Sequence, residues 1–214
     1  MEQNQFESYA GAEGIIPVVT IHDAVHAVSV ANALVGAGFH TIEVTLRTPE
    51  SLKAIQNIAR SDSRIVVGAG SVTRESSVDE AIDAGAEFLV SPGLTHSLAE
   101  RALKRSVAYL PGIATPSEIM TGIEMGLSVF KFFPAEPLGG TEYLKAISAP
   151  FPDLRFIPTG GIRPENLGSY LSLPQVLACG GSWLTPRESL ASGDMETVTK
   201  RSREAKALVS RLSD

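Results

Sequence analysis

A single cysteine, Cys179 in "VLACGG", is all the thiol that this 214-residue chain holds. It cannot close an internal disulfide, so a reducing compartment is expected. Basic residues are also in short supply. The 18 Lys and Arg stand against 24 Asp and Glu, a net charge of −6, and no Lys/Arg block stands out. That argues against a broad nucleic-acid surface, which needs basic patches. It leaves room for one positive pocket that takes a small anion. Long apolar runs are missing too: none approaches the ~20 residues of a membrane-spanning helix. The start, "MEQNQFESYA", is polar and acidic, unlike a signal peptide with its basic start and apolar core. A cytoplasmic protein is expected, with neither nucleic acid nor membrane as partner.

What is present is a regular alternation of short apolar strands and helical stretches. Strands are predicted at 15–19, 41–46, 65–68, 88–90, 108–111, 129–133, 156–158 and 176–178. Between them lie helical spacings such as Ala24, Val25, Val28, Ala31, Val35 and Leu52, Ile55, Ile58, Ala59. Glycine ends several helices before the next strand, in "VGAGF", "DAGAEF" and "EMGLSVF". Many strands are apolar on both faces, as buried parallel strands are. Eight strand-then-helix units predict an α/β fold of the (β/α)8 barrel type. Residues from about 2 to 10 would form an extra N-terminal helix, and residues 1–214 a single domain. A doubly wound open sheet is the rival fold.

Active sites of such barrels lie at the C-terminal ends of the strands. Residues that are wrong for packing are therefore informative there. In "TIEVTLR", Ile42, Val44 and Leu46 share one face, and Glu43, Thr45 and Arg47 the other. The second set would point inward, with Glu43 deep and Arg47 roughly 13 Å nearer the mouth. In "VFKFFPAE", Lys131 and Phe133 point inward if Phe130 and Phe132 pack outward. A lysine with apolar walls that favour its neutral form can attack a ketone and form a Schiff base. The protonated imine then draws electrons from the neighbouring carbon, so that a C–C bond breaks without metal or organic cofactor. The plainer alternatives are a structural ion-pair network and a lysine snorkelling to solvent. Two glycine-rich turns, "PTGGI" and "CGGSW", are placed after the last two strands. Backbone N–H groups at such turns can cradle a phosphate. His22 and His26 are spaced for metal but lack a third ligand. Cys179 reads as core.

The motifs "EVTLR", "GAGS", "SPGLT", "FKFFPAE", "PTGGI" and "GGSWL", in this order and spacing, closely resemble the 2-keto-3-deoxy-6-phosphogluconate (KDPG) aldolase family. That family includes the 4-hydroxy-2-oxoglutarate (KHG) aldolases. The resemblance runs from about Pro17 to Leu184 and beyond. It implies a homotrimeric class I aldolase that cleaves a phosphorylated 2-oxo sugar acid to pyruvate and glyceraldehyde 3-phosphate. It further implies Lys131 as the Schiff-base lysine, Glu43 as the proton-transfer carboxylate and Arg47 as the holder of the pyruvyl carboxylate. Pro92 and Phe133 would line the pyruvyl pocket. Gly160, Gly161, Gly181 and Ser182 would form the phosphate end, with Thr159 beside the substrate chain. One departure stands out: the family commonly has "GAGT", and here Ser71 keeps the hydroxyl and loses the methyl. Alternatives are the galactonate epimer as substrate, a non-catalytic sugar-phosphate-binding barrel and a metal-dependent lyase.

Overall fold

The computed structural model describes Met1 and residues 3–213. In chain order the elements begin with α1 (Gln3–Glu13), β1 (Ile15–Val19), α2 (Ala27–Val35), β2 (Thr41–Thr45) and α3 (Ser51–Ala59). β3 (Val66–Gly70), α4 (Glu75–Asp83), β4 (Phe88–Val90), α5 (His96–Lys104) and β5 (Ala108–Leu110) follow. Next come β6 (Gly112–Ile113), α6 (Pro116–Glu124), β7 (Val129–Phe132), α7 (Gly140–Ser148), β8 (Arg155–Pro158) and α8 (Pro164–Leu171). The chain closes with β9 (Cys179–Gly181), α9 (Arg187–Ser192) and α10 (Met195–Ser213). Every strand pairing is parallel. One sheet runs β5-β4-β3-β2-β1-β9, the other β6-β7-β8. The alternation expected from sequence is therefore present in an α/β fold with two parallel sheets.

Several boundaries differ from expectation. The strand predicted at 108–111 is two short strands separated by Pro111, which has no N–H for a ladder. The strand predicted at 65–68 lies two residues later at its end, because Gly70 pairs with Thr45. The last strand is displaced most. Val176 makes only an isolated bridge to Phe156, and the strand itself is Cys179–Gly181, paired with β1. The glycines of "CGGSW" are thus strand residues and not a turn. The helix expected from Ala24 begins instead as a short 3-10 turn (Ala24–His26), capped by the Asp23 side chain, which leaves Val25 exposed. The expected extra N-terminal helix is α1; its predicted first residue, at position 2, lies outside the described residues. Gly85 and Gly126, by contrast, end α4 and α6 in left-handed geometry (φ 106° and 81°), as glycine at those positions predicts.

Side-chain alternation sorts the core into two layers. Ile42, Val44, Phe130 and Phe132 belong to the layer between strands and helices. Ile16, Phe88, Val90, Val129 and Ile157 belong to an inner cluster shared by strands of both sheets. α1 closes the inner cluster from the N-terminal ends of the strands. Its Phe6 and Ala10 are fully buried, and the Phe6 ring lies 4.9 Å from that of Phe88. Burying a side chain of that size contributes about 1.5–3 kcal/mol. Gly68 makes the inner position possible, since a Cβ there would meet the Phe88 ring at 2.3 Å.

At the same end Glu13, also buried, accepts bonds from the His40 N–H and the Thr41 hydroxyl. Burial pushes its carboxyl above the usual range, against the pull of those two donors and of Lys206. This cluster belongs to the floor of the fold. The residues singled out for chemistry lie at the opposite end.

Candidate active site

β2 and β7 bring the site together. The third residue of β2, Glu43, and the third of β7, Lys131, both turn inward above the apolar cluster. Lys131 Nζ donates to Glu43 Oε1 at 3.3 Å. Their side chains are only 7% and 5% exposed, so the pair is shielded from water. Residues 88 apart in sequence thus meet as the alternation of each strand predicts. The Phe133 ring, half-buried, stands 5.4 Å from Lys131 Nζ and gives the ammonium an aromatic wall. The Phe133–Pro134 bond is cis.

The room for this pair comes from glycine. A Cβ on Gly70 would lie 2.1 Å from Glu43 Oε1, so the carboxylate occupies the space that any other residue would fill. Above Glu43, the Thr45 and Thr20 hydroxyls are 2.8 Å apart. Arg47 is exposed, past the end of β2, and its Nε donates to Ser71 Oγ at 2.9 Å. Ser71 sits in the left-handed region at φ 58°, costlier for a β-branched residue. Its hydroxyl therefore reaches Arg47 from a backbone geometry that serine accepts more readily than threonine. Among the described residues Arg47 has no acidic partner, which leaves its guanidinium available to a ligand carboxylate. Pro92 is exposed at the end of β4, and a Cβ on Gly112 would meet its carbonyl oxygen at 2.2 Å. Gly112 thus lets the Pro92 loop approach the strand beside Lys131.

Thr159 continues β8 and is buried; a Cβ on Gly180 would lie 2.3 Å from its hydroxyl. Gly160 and Gly161 follow in left-handed geometry, φ 100° and 84°. The Gly160 N–H faces the Gly180 carbonyl across the parallel Thr159–Gly180 bridge, and among the described residues the Gly161 N–H has no protein acceptor. Gly181 is buried in β9, where a Cβ would press on Leu184, Ile15 and Trp183, and Ser182 beyond it is exposed. The expected phosphate end is therefore one true turn and one strand end, with Thr159 and Gly180 bridging them.

The minor candidates fall away from this cluster. His22 precedes the 3-10 turn before α2, and His26 is the last residue of that turn. Cys179 is buried in the outer layer, and burial pushes its thiol far up. Among the described residues no group of three or more His, Cys, Asp or Glu converges as a metal site would need. A surface cleft of about 700 Å³ lies against Trp183, Lys200 and Arg201 and is lined by none of the candidate site residues. The buried Lys131–Glu43 contact, rather than cavity size, marks the site. Sequence reading overlooked Gly70, whose role is visible only once Glu43 is seen lying across it.

A family model described as KDPG and KHG aldolase matches residues 7–201. The KHG/KDPG aldolase of Escherichia coli (strain K12) is 46% identical over 199 residues, 93% of each chain. The 2-keto-3-deoxy-6-phosphogluconate aldolase of Zymomonas mobilis ZM4, solved with 3-phosphoglycerate, superposes with a TM-score of 0.91. It is 41% identical, and the match covers 96% of this chain and 97% of that one. The KDPG aldolase of Legionella pneumophila gives 0.90 at 39% identity, covering 93% and 97%; its structure holds pyruvate as a covalent carbinolamine. The chain belongs to the KDPG and KHG aldolase family.

Proposed function

We propose that this protein is a class I aldolase that cleaves 2-keto-3-deoxy-6-phosphogluconate to pyruvate and glyceraldehyde 3-phosphate. The observation that carries the reading is the shielded 3.3 Å contact between Lys131 Nζ and Glu43 Oε1 at the C-terminal end of the strands. As the neutral amine, Lys131 adds to the C2 ketone, and the carbinolamine loses water to give an iminium. Glu43, directly or through a water, takes the proton of the C4 hydroxyl. The C3–C4 bond breaks, its electrons pass to the C2 iminium, and the aldehyde leaves. Glu43 returns a proton to C3 of the enamine. Water then releases pyruvate and restores Lys131. The iminium is the electron sink, so the route calls for no metal or organic cofactor. Arg47 and Ser71 hold the C1 carboxylate, with Pro92 and Phe133 along the pyruvyl group. The same steps convert 4-hydroxy-2-oxoglutarate to pyruvate and glyoxylate.

The phosphate is assigned to Gly160, Gly161, Gly181 and Ser182, with Thr159 beside the substrate chain. The unpaired Gly161 N–H, among the described residues, and the left-handed turn at Gly160 and Gly161 support this. The test is kcat/KM for the phosphorylated acid against 4-hydroxy-2-oxoglutarate. Ser182→Ala should cost about 1.5–3 kcal/mol, roughly tenfold or more, on the phosphorylated substrate and spare the other. If both fall in parallel, the turns are structural and the phosphate assignment is lost, while the Schiff-base chemistry stands.

We also read residues 1–214 as one domain whose two sheets close into a (β/α)8 barrel. Continuity of β5 into β6 and the Thr159–Gly180 bridge support this closure. A homotrimer would cover some of the apolar side chains left exposed on α5 and α6, Leu103, Met120 and Ile123. A solution mass of one chain would overturn it. Cytoplasmic placement fits a phosphorylated substrate, which does not cross membranes unaided, and recovery from another cell fraction would refute it.

A further inference from the structure

The loop that leaves Lys131's strand is stitched to the glycine turn after β8. The Ala135 N–H donates to the Thr159 carbonyl at 2.8 Å, and the Glu136 N–H to the Gly160 carbonyl at 3.0 Å. With those two carbonyls gripped from one side, the turn is held by the loop that continues the strand carrying the amine.

The Glu136 side chain takes part in the grip. A Cβ on Gly161 would stand 2.6 Å from both Cβ and Cγ of Glu136. Its carboxylate accepts the hydroxyl of Tyr170, which lies in α8 and is fully buried. Gly140 leaves space for this contact, since a Cβ there would be 3.1 Å from Glu136 Oε1 and 3.3 Å from the tyrosine oxygen. The stem of Glu136 is thus wedged against the turn while its head is tied to the helix that follows the turn.

We propose that Glu136 and Tyr170 are positioning residues that fix the Gly160–Gly161 turn relative to Lys131, and so set the spacing between phosphate and Schiff-base carbon. This rests on the phosphate reading given above. Two features make the tie durable. Burial, and then the bond to Glu136, push the Tyr170 phenol well above its ordinary range, so it stays a donor throughout the neutral pH range. The bond is also of the charge-assisted kind, a hydroxyl donating to a carboxylate, which is the stronger class.

Neither residue touches the reacting atoms, so their loss should appear in binding of the phosphorylated substrate. Tyr170→Phe and Glu136→Ala should each raise KM for 2-keto-3-deoxy-6-phosphogluconate roughly tenfold, the usual scale for a hydrogen bond to a charged group, with kcat little changed. Both should leave KM for 4-hydroxy-2-oxoglutarate where it was. Glu136→Gln still accepts the tyrosine hydroxyl and should restore near-normal KM. Parallel losses on both substrates, or no rescue by Gln, would overturn the positioning role. A wild-type enzyme that prefers the phosphorylated acid while its variants keep their KM overturns this inference alone. A wild type without that preference overturns the phosphate site itself, and this inference with it.

Discussion

Pyruvate and borohydride together are expected to modify Lys131 and no other lysine. Five more are present, at positions 53, 104, 145, 200 and 206. Lys206 is the informative competitor, because burial lowers its pKa. Among the described residues its Nζ bonds the Glu13 carbonyl and lies over the Phe39 ring, at the far end of the strands. If depressed basicity alone made a Schiff base, Lys206 would react as well. Lys131 differs in having a carboxylate at 3.3 Å, which the proposed mechanism uses to take and return protons, and in lying below Arg47 and Ser71, which that mechanism assigns to the keto acid. Peptide mass after reduction locates the adduct, and one at Lys206 would sink the assignment. Lys131→Ala should abolish cleavage, but it also strands Glu43 as a buried charge, which typically costs 3–5 kcal/mol. Lys131→Arg is the cleaner variant. It keeps a cation beside Glu43, stays charged at any working pH and cannot form an imine. It should remain folded, give no adduct and show no cleavage. Measurable turnover by that variant would mean that the amine is not the nucleophile.

The parts of the site legible in the sequence were those written in side chains. Lys131 breaks an otherwise apolar strand and Glu43 stands between Ile42 and Val44, and the two-residue period of a strand then fixes the face they occupy. β2 and β7 show this directly: Ile42 and Val44, like Phe130 and Phe132, take the outer layer and leave the charged residues inside. What stayed hidden was written in glycine. Nothing about "VGAG" says that Gly68 clears space for Phe88 and Gly70 for Glu43, because an absent side chain has meaning only beside what fills the gap. The same silence misplaced β9. Residues 176–178 are apolar and resemble a strand, whereas Gly180 and Gly181, with no side chains to display a face, form it. The Asp23 cap before α2 was equally hard to read, since it admits a 3-10 turn that rotates Val25 into solvent. Tyr170 and Glu136 are 34 residues apart and on different elements, so only the fold could pair them.

Glu43→Gln should lower kcat by about 10²–10⁴-fold, the usual contribution of a general acid–base group. The variant is nearly isosteric, and the space opened by Gly70 accepts an amide as readily as a carboxylate. Gln can still accept a hydrogen bond from Lys131 through its carbonyl oxygen, so the geometry at Nζ should persist. What it cannot do is take a proton from the C4 hydroxyl or return one to C3. In the proposed mechanism binding of the keto acid depends instead on Arg47 and Ser71, which lie outside the Lys131–Glu43 contact. KM should therefore move far less than kcat. Imine formation should slow too, because loss of water from the carbinolamine needs the same proton shuttle. Trapping kinetics separates the two losses: slow but complete labelling of Lys131 with pyruvate and borohydride, alongside a collapsed kcat, is the expected pattern. Near-normal turnover would reduce Glu43 to a counter-charge, its 3.3 Å contact with Lys131 then serving structure alone. Labelling that fails altogether would instead place Glu43 in forming the imine rather than in breaking the C3–C4 bond.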